Sequence, residues 1–214
     1  MSESIAHHDE HRDDEGSKLG IWLFIFTELL FFGGLFITYA VYRHGNSQAF
    51  HLAAEQLDVT LGTINTVILL ISSMTIAMAT TAIQKKDKRT TLILIWITLI
   101  LALVFLVNKY FEWSAKIDHG IWPGSPLLEE LGRGDTLFFG LYFFMTGLHA
   151  LHIIIGMVLI AVILVRVRKN KITFDNFQLL ENGGLYWHLV DLIWIFLFPR
   201  LLSNRSGVAA HRSK

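Results

Sequence analysis

The sequence predicts an all-α fold, that of a polytopic membrane protein built as a bundle of five transmembrane helices. Of its 214 residues, 53% are hydrophobic, and they are concentrated in five long segments separated by shorter polar ones. The clearest segment, residues 136–165, contains no Asp, Glu, Lys or Arg, whereas about 20 apolar residues already span a bilayer. Because hydrocarbon cannot hydrogen-bond an exposed backbone, such segments are predicted to be helices.

The chain divides into a polar amino-terminal tail, a membrane domain and a carboxy-terminal tail, at residues 1–17, 18–203 and 204–214. The five spans are predicted at about residues 19–42, 61–83, 91–111, 136–165 and 185–202. The first tail lacks the apolar stretch of a signal peptide, so we interpret it as a mobile cytoplasmic segment. The connections between the spans are predicted to be loops, among them residues 43–60 and 114–135.

The first span contains a single charged residue, Glu28, about ten residues from its start. An ionisable side chain at that depth indicates a functional site, because an unpaired charge in hydrocarbon is costly. The structural alternative, equally supported by the sequence, is a protonated carboxyl that hydrogen-bonds a neighbouring helix. Gly33 and Gly34 in the same span are expected to allow close contact with another helix.

The second span is rich in small polar residues: Asn65, Thr66, Ser72, Ser73, Thr75, Thr80 and Thr81. Residues of this kind usually serve helix packing in lipid, so we favour packing over a transport path. The third span ends with Lys109 and Glu112 among aromatic residues. There we expect an aromatic belt at the membrane surface, with the Lys109 side chain extended toward water.

The fourth and fifth spans carry the histidines of the membrane domain. His149 and His152 lie three residues apart near the middle of the fourth span, a spacing that places both on one helix face. Because polar groups in hydrocarbon need partners, we expect that face to point into the protein. In the fifth span, His188 and Asp191 have the same spacing, and two tryptophans seven residues apart share another face.

Charge predicts the orientation of the bundle. Basic residues are concentrated before the first span and in the turns after the second and fourth, at Arg12, Lys18, Lys85, Lys86, Lys88, Arg89, Arg166, Arg168, Lys169 and Lys171. By the positive-inside rule these segments are cytoplasmic, and five spans then place the carboxy terminus outside. The 18 basic and 18 acidic residues balance, which gives no indication of a nucleic-acid partner.

Six titratable residues lie within or near the spans: Glu28, Glu112, His149, His152, His188 and Asp191. One hypothesis is a metal or haem site, although no span contains a His pair at i, i+4 or a Glu-x-x-His motif. We favour an interhelical hydrogen-bond network that fixes the bundle and tunes proton access. The absence of cysteine excludes thiol catalysis and iron–sulfur clusters. A small transporter is disfavoured because no repeat or broken helix pair occurs.

Five stretches, in order, resemble subunit III of the haem–copper oxidases. They are GIWLFIFTELLFFGGLF with Glu28, INTVILLISS, KYFEW with Glu112, FFMTGLHALHIIIG, and ENGGLYWHLVDLIWIFLF with Glu181, Tyr186, Trp187, His188 and Asp191. The fourth is the most specific, because it contains Gly-x-His-x-x-His-x-x-x-Gly. The chain resembles the five-helix bacterial form, which lacks the first two of the seven helices of longer members.

The resemblance implies a non-catalytic subunit of a proton-pumping respiratory oxidase, a cytochrome c oxidase, that reduces oxygen to water. It implies no catalytic, cofactor-binding or metal-binding residue in this chain, because haems and copper are expected in partner subunits I and II. Subunit I is the expected main contact, subunit II and membrane phospholipids are further partners, and cytochrome c is an indirect one. The implied location is the bacterial cytoplasmic (inner) membrane.

The resemblance also implies roles for individual residues. Glu28 matches the membrane carboxylate known in the family for carbodiimide reactivity, and the six titratable residues would support proton uptake. Arg166 and Glu181 are expected at lipid headgroup or subunit contacts, with a plain interface anchor as the alternative for Arg166. The lipid-holding cleft of longer members needs the two helices that this chain lacks.

Two kinds of alternative function stay open at this point. The related ones are the equivalent subunit of a quinol oxidase or of a nitric oxide reductase. The alternative from a different class is a free-standing membrane metalloenzyme with histidine ligands. Stoichiometric iron or copper bound by this polypeptide alone would favour the metalloenzyme.

Overall fold

The computed structural model describes residues 3–174 and 176–202. Within them the chain forms seven helices: α1 (Glu3–Gly45), α2 (Ser47–Glu55), α3 (Val59–Gln84), α4 (Lys88–Asp118), α5 (Pro126–Leu131), α6 (Arg133–Arg168) and α7 (Gln178–Leu202). Five of these, α3, α4, α6, α7 and α1 from Gly16 onward, are long and apolar enough to cross a membrane. The described residues form no strand, so the predicted all-α membrane fold is confirmed.

Helix α2 lies inside residues 43–60, a segment that was predicted from the sequence to be a loop. Its buried side chains are Phe50, Ala53 and Ala54, and Leu57, two residues after the helix ends, is also buried. These positions follow the i, i+3, i+4, i+7 spacing of an amphipathic helix. The loop prediction was therefore wrong, because the short apolar stripe of α2 lies next to much stronger hydrophobic segments.

The predicted loop at residues 114–135 is also partly helical. α4 continues to Asp118, and α5 forms a further short helix within the same segment. The start of α5 is fixed by capping, since Ser125 Oγ accepts a hydrogen bond from the Leu128 N–H and Pro126 begins the helix. The backbone of the predicted amino-terminal tail is helical from Glu3. The predicted carboxy-terminal tail lies outside the described residues.

Aspartates begin two of the membrane helices. At the start of α3, Asp58 Oδ1 accepts the N–H groups of Thr60 and Leu61 at 2.8 and 3.1 Å. At the start of α4, the Asp87 carboxylate accepts the N–H and the hydroxyl of Thr90. These contacts satisfy amide groups that have no partner within the helix. The hydrogen bonds from Thr90 hold the pKa of Asp87 below its usual value.

Helices α6 and α7 lie at the centre of the bundle. α7 contacts α6, α3 and α1, while α3 packs along α4 and α4 contacts α6. α1 reaches the other spans through α7 and α6 and is the least buried of the five. The contacts of α6 and α7 with their neighbours therefore contain several of the polar side chains of the membrane domain, among them His152, Tyr142 and His188.

Indole and hydroxyl groups join α7 to α3. Trp187 Nε1 donates to Ser72 Oγ at 3.0 Å, and Trp194 Nε1 donates to Thr66 Oγ1 at 3.1 Å. The two tryptophans thus share the side of α7 that faces α3, as their spacing predicts. The hydroxyl groups of Ser72 and Thr66 thus contribute to helix packing, as that interpretation of the second span expects.

Glycines allow α6 and α7 to approach each other closely. A Cβ at Gly156 would lie 2.8 Å from the Trp187 ring, and a Cβ at Gly183 would overlap an α6 side chain. A Cβ at Gly33 or Gly34 would instead meet nothing within 4 Å. This pair makes no close helix contact within the described chain, and a close contact with a helix of another subunit stays a prediction.

Candidate functional site

The two histidines of α6 face different neighbours. His149 is fully buried against aromatic rings of α4 and α7, whereas His152 faces α1. Three residues along a helix leave two side chains about 60° apart, which is enough to direct them to separate interfaces. Both point into the protein, as predicted, but they do not share one interface.

The single charged residue within the apolar part of α1 faces His152. His152 Nε2 lies 3.1 Å from Glu28 Oε2, and the two side chains are 13% and 17% exposed. The approach to Oε2 lies outside hydrogen-bond angles, so the contact is a close electrostatic one. The ring of Phe32, one turn after Glu28, packs edge-on against the imidazole at 5.3 Å. Glu28 and His152 therefore join α1 to α6 in a mostly apolar setting.

A backbone contact determines which nitrogen of His152 faces Glu28. Nδ1 lies 2.7 Å from the carbonyl oxygen of Leu148. Since a carbonyl only accepts, Nδ1 carries a hydrogen, and Nε2 is the nitrogen that can exchange a proton with the carboxyl. An imidazole beside a protonated carboxyl and an imidazolium beside a carboxylate both have zero net charge. Either arrangement avoids an isolated charge in the membrane.

His149 has aromatic surroundings. The Trp194 ring lies 4.9 Å from the imidazole, and the Phe105 ring meets it edge-on at 5.6 Å. Neither ring nitrogen has a hydrogen-bond partner among the described residues. His149 therefore packs as a core side chain, and its buried N–H is unsatisfied by the part of the chain that the structure describes.

A charged cluster lies near the end of α4. The Lys109 side chain is buried, and its ammonium donates to Glu112 Oε2 at 3.0 Å and to the Tyr142 hydroxyl at 3.1 Å. The Tyr142 hydroxyl donates to the other oxygen of Glu112. The expectation that Lys109 extends toward water was wrong, because Glu112 and Tyr142 give its ammonium partners inside the bundle. The ammonium also lies 5.3 Å from the centre of the Trp194 ring.

His188 and Asp191 of α7 lie toward α3. Ser73 Oγ and His188 Nδ1 are 2.6 Å apart. Asp191, one turn later on α7, is 2% exposed, and neither of its oxygens has a hydrogen-bond partner among the described residues. The Ser73 hydroxyl also faces the Asp191 carboxyl, but the two groups do not reach hydrogen-bond geometry.

The six predicted residues are thus divided among several interfaces. Glu28 and His152 lie between α1 and α6, Glu112 lies between α4 and α6, and His188 and Asp191 lie between α7 and α3. His149 is packed between these groups without a described polar contact. In the described chain, no three His, Cys, Asp or Glu side chains are arranged to hold a metal ion. The cofactor content of the chain stays a prediction.

Three residues of these interfaces were not among the predicted site residues: Lys109, Tyr142 and Ser73. The i, i+3 spacing of Lys109 and Glu112 is visible in the sequence and is typical of an ion pair on a helix. Tyr142 and Ser73 have no such local signal. Tyr142 lies 33 residues from Lys109, and Ser73 lies 115 residues from His188.

Arg166 and Glu181 lie at helix ends, away from these interfaces. Arg166 is in the last turn of α6 and lines an open groove of about 800 Å³ together with Lys169 and Lys171. Glu181 is in the first turn of α7, where a carboxylate interacts favourably with the helix dipole. Contacts of both residues with lipid headgroups or another subunit stay predictions.

Comparison with known proteins gives consistent matches along the chain. The family model described as cytochrome c oxidase subunit III matches residues 2–203. A protein of Alkalihalophilus pseudofirmus named cytochrome c oxidase subunit 3 is 31% identical over 200 residues, 92% of each chain. A probable quinol oxidase subunit 3 of Staphylococcus saprophyticus is 32% identical over 191 residues, 88% of this chain and 90% of the relative. Its counterpart from Staphylococcus aureus is 29% identical over 191 residues, with the same coverage.

Proposed function

The chain belongs to the cytochrome c oxidase subunit III family, and on this premise we propose that it serves a proton-pumping respiratory oxidase that oxidises cytochrome c. It is a multi-pass membrane protein and a subunit III of the haem–copper oxidase family. In the proposed complex, the haems and copper of the oxidase lie in subunits I and II. This chain packs against subunit I and supports its stability and sustained proton uptake.

The observation that carries the supporting role is how the chain uses its polar side chains. Glu28 and His152 face each other between α1 and α6, and the Tyr142 hydroxyl of α6 hydrogen-bonds both Lys109 and Glu112 of α4. Polar groups that satisfy each other across helices hold a membrane bundle together. A free-standing metalloenzyme would instead need such side chains to converge on one ion. The interfaces found here support a bundle-forming subunit.

We assign the role in proton uptake to Glu28 and His152. A protonated Glu28 beside a neutral His152 and an ionised Glu28 beside a protonated His152 both leave the pair neutral overall, so either residue can hold the proton without creating an isolated charge. α1, which carries the carboxyl, is the least buried span and leaves most of its surface for subunit I or lipid. These features support a carboxyl that takes part in proton exchange near a partner subunit.

The proposed location is the bacterial inner membrane, with the amino terminus in the cytoplasm and the carboxy terminus outside. One contact between helix ends supports the orientation. Lys88 Nζ donates to the Arg168 carbonyl oxygen at 3.0 Å and to Asn170 Oδ1 at 2.5 Å. The two basic turns, after α3 and after α6, therefore lie at the same end of the bundle, which the positive-inside rule assigns to the cytoplasm.

For the electron donor we propose cytochrome c, with a quinol as the second candidate. The first is supported by 31% identity, over 92% of the chain, to a protein named cytochrome c oxidase subunit 3. The second is supported by 32% and 29% identity to proteins named probable quinol oxidase subunit 3.

Oxygen consumption by the complex, purified through a tag on this chain, tests the assignment. We expect rapid turnover with reduced cytochrome c and little with a reduced quinol. The reverse result would move the chain to the quinol oxidases. If no haem-containing subunit co-purifies under conditions that keep the chain folded, the proposed function is wrong.

A further inference from the structure

The outer surface of α4 and α6 carries an apolar groove that the polar interfaces do not use. Its volume is about 740 Å³, and α4 forms one wall and α6 the other. The side chains in the α4 wall include Trp96, Ile100 and Leu103, which are 53–55% exposed within this chain. In a membrane these side chains are covered by lipid or by another protein.

The length of the groove favours lipid. Its lining runs from Leu92 to Leu103 on α4 and from Met157 to Arg168 on α6, and on each helix this stretch is about 16 Å long at about 1.5 Å per residue. Half of a hydrocarbon core of roughly 30 Å is about 15 Å. A partner's transmembrane helix would need a groove that crosses both leaflets, whereas the acyl chain of a lipid needs a groove only as long as one leaflet.

The end of the groove is positively charged. Arg168, in the last turn of α6, is the charged residue that lines it, and its guanidinium has no partner among the described residues. Lys88 donates to the Arg168 carbonyl and to Asn170, two neutral acceptors that carry no negative charge to offset its ammonium. The nearby Asp87 carboxylate, at the start of α4, accepts its hydrogen bonds from Thr90 and not from Arg168 or Lys88.

We propose that the α4–α6 groove binds one anionic phospholipid, with an acyl chain along the groove and the phosphate at Arg168. A guanidinium can donate two parallel N–H bonds to a phosphate, and Lys88 adds a second positive charge. The groove is distinct from the one that Arg166 lines with Lys169 and Lys171. It is formed by this chain alone, so the inference does not rest on the proposed function.

Lipid retention by the purified full-length chain tests the proposal. The chain is reconstituted in vesicles of equal parts phosphatidylglycerol and phosphatidylcholine and then extracted in mild detergent. Native mass spectrometry measures the mass of the chain together with any lipid that stays bound. We expect the wild type to retain one phosphatidylglycerol, and Arg168→Gln to retain at least fivefold less. The matched control is Lys85→Gln, which removes a positive charge from the same end of the bundle but does not line the groove. It is expected to retain lipid like the wild type.

A second variant tests the apolar part of the site. Ile100→Trp adds bulk in the middle of the groove and leaves every cation in place, so it is also expected to lose the lipid. If Arg168→Gln does not fold, as judged by thermal unfolding, this variant decides. Equal retention by the wild type and both groove variants would overturn the proposal. An equal loss in Lys85→Gln, or equal retention of phosphatidylcholine by the wild type, would also overturn it.

Discussion

His149 and His152 show how strongly the surroundings determine the role of a residue in the membrane. His152 faces a carboxyl at 3.1 Å, whereas both nitrogens of His149 lack a described partner. A buried polar group without a partner costs free energy of folding, but removing one member of a facing pair leaves the other unsatisfied. Replacing His152 is therefore expected to cost more stability than replacing His149.

We predict that His149→Leu changes the free energy of unfolding by less than about 1 kcal/mol, because leucine has a similar volume and no N–H to satisfy. His152→Leu should lower it by about 1–3 kcal/mol, because Glu28 loses the group that it faces. Unfolding in mixed micelles, followed by tryptophan fluorescence, measures both. Similar losses of unfolding free energy for the two variants would contradict the different environments assigned to His149 and His152.

Glu28 is predicted to be the site of carbodiimide labelling. The reagent is apolar and reacts with carboxyls in the membrane, and Glu28 is the carboxyl of the α1 span, only 17% exposed. Glu28→Gln should leave assembly intact and abolish labelling of the span Gly16–Gly45, as measured by peptide mass spectrometry. Glu130→Gln, which changes an exposed carboxyl, is the control and should label like the wild type. Full labelling of the span Gly16–Gly45 in Glu28→Gln would refute the assignment.

At this scale the sequence indicates which residues matter better than it indicates their partners. Glu28 stands out as the charge of its span, but its partner lies on another helix. The prediction for Lys109 failed because a lysine near the end of a span has two favourable positions, at the membrane surface or beside an internal carboxylate. The choice depended on Tyr142, which comes from α6.

At the scale of the helices, glycines determine how closely α6 and α7 pack. A Cβ at Gly156 would lie 2.8 Å from Trp187, a tryptophan that also donates to Ser72 on α3. Displacing this ring would therefore disturb two helix contacts. Gly34 on α1 has open space around its position.

We predict that Gly156→Ala lowers the free energy of unfolding by about 1–3 kcal/mol, the usual cost of adding a methyl group to a filled interface. Gly34→Ala should have no effect or raise it by up to about 1 kcal/mol, because alanine is the better helix former. Thermal unfolding of the two variants in the same detergent provides the comparison. A larger loss for Gly34→Ala than for Gly156→Ala would contradict this packing.

The five spans could be predicted because hydrophobicity over about 20 residues is a strong signal. Helix ends were harder, since hydropathy marks the part of a helix in hydrocarbon and not where its hydrogen bonding stops. α4 therefore continues to Asp118, well beyond the predicted end of its span. α2 was missed because its stripe of Phe50, Ala53 and Ala54 is amphipathic and short.

At the scale of the whole molecule, polar groups link the helices inside the bundle, and apolar side chains cover most of its outer surface. The family could be recognised from the order of five motifs, and the match over residues 2–203 confirms it. The arrangement of the polar interior could not be predicted, because it depends on how five helices are rotated against one another. That rotation results from contacts such as Trp187 with Ser72, which join residues far apart in the chain.

We propose that this chain supports a redox enzyme without holding its metal centres. The most direct test is the iron, copper and haem content per polypeptide, measured first in the complex purified through a tag on this chain and then in the chain separated from its partners. We predict that haem and copper co-purify with the complex and stay with subunits I and II on separation. One haem or one copper atom per isolated chain would contradict the claim.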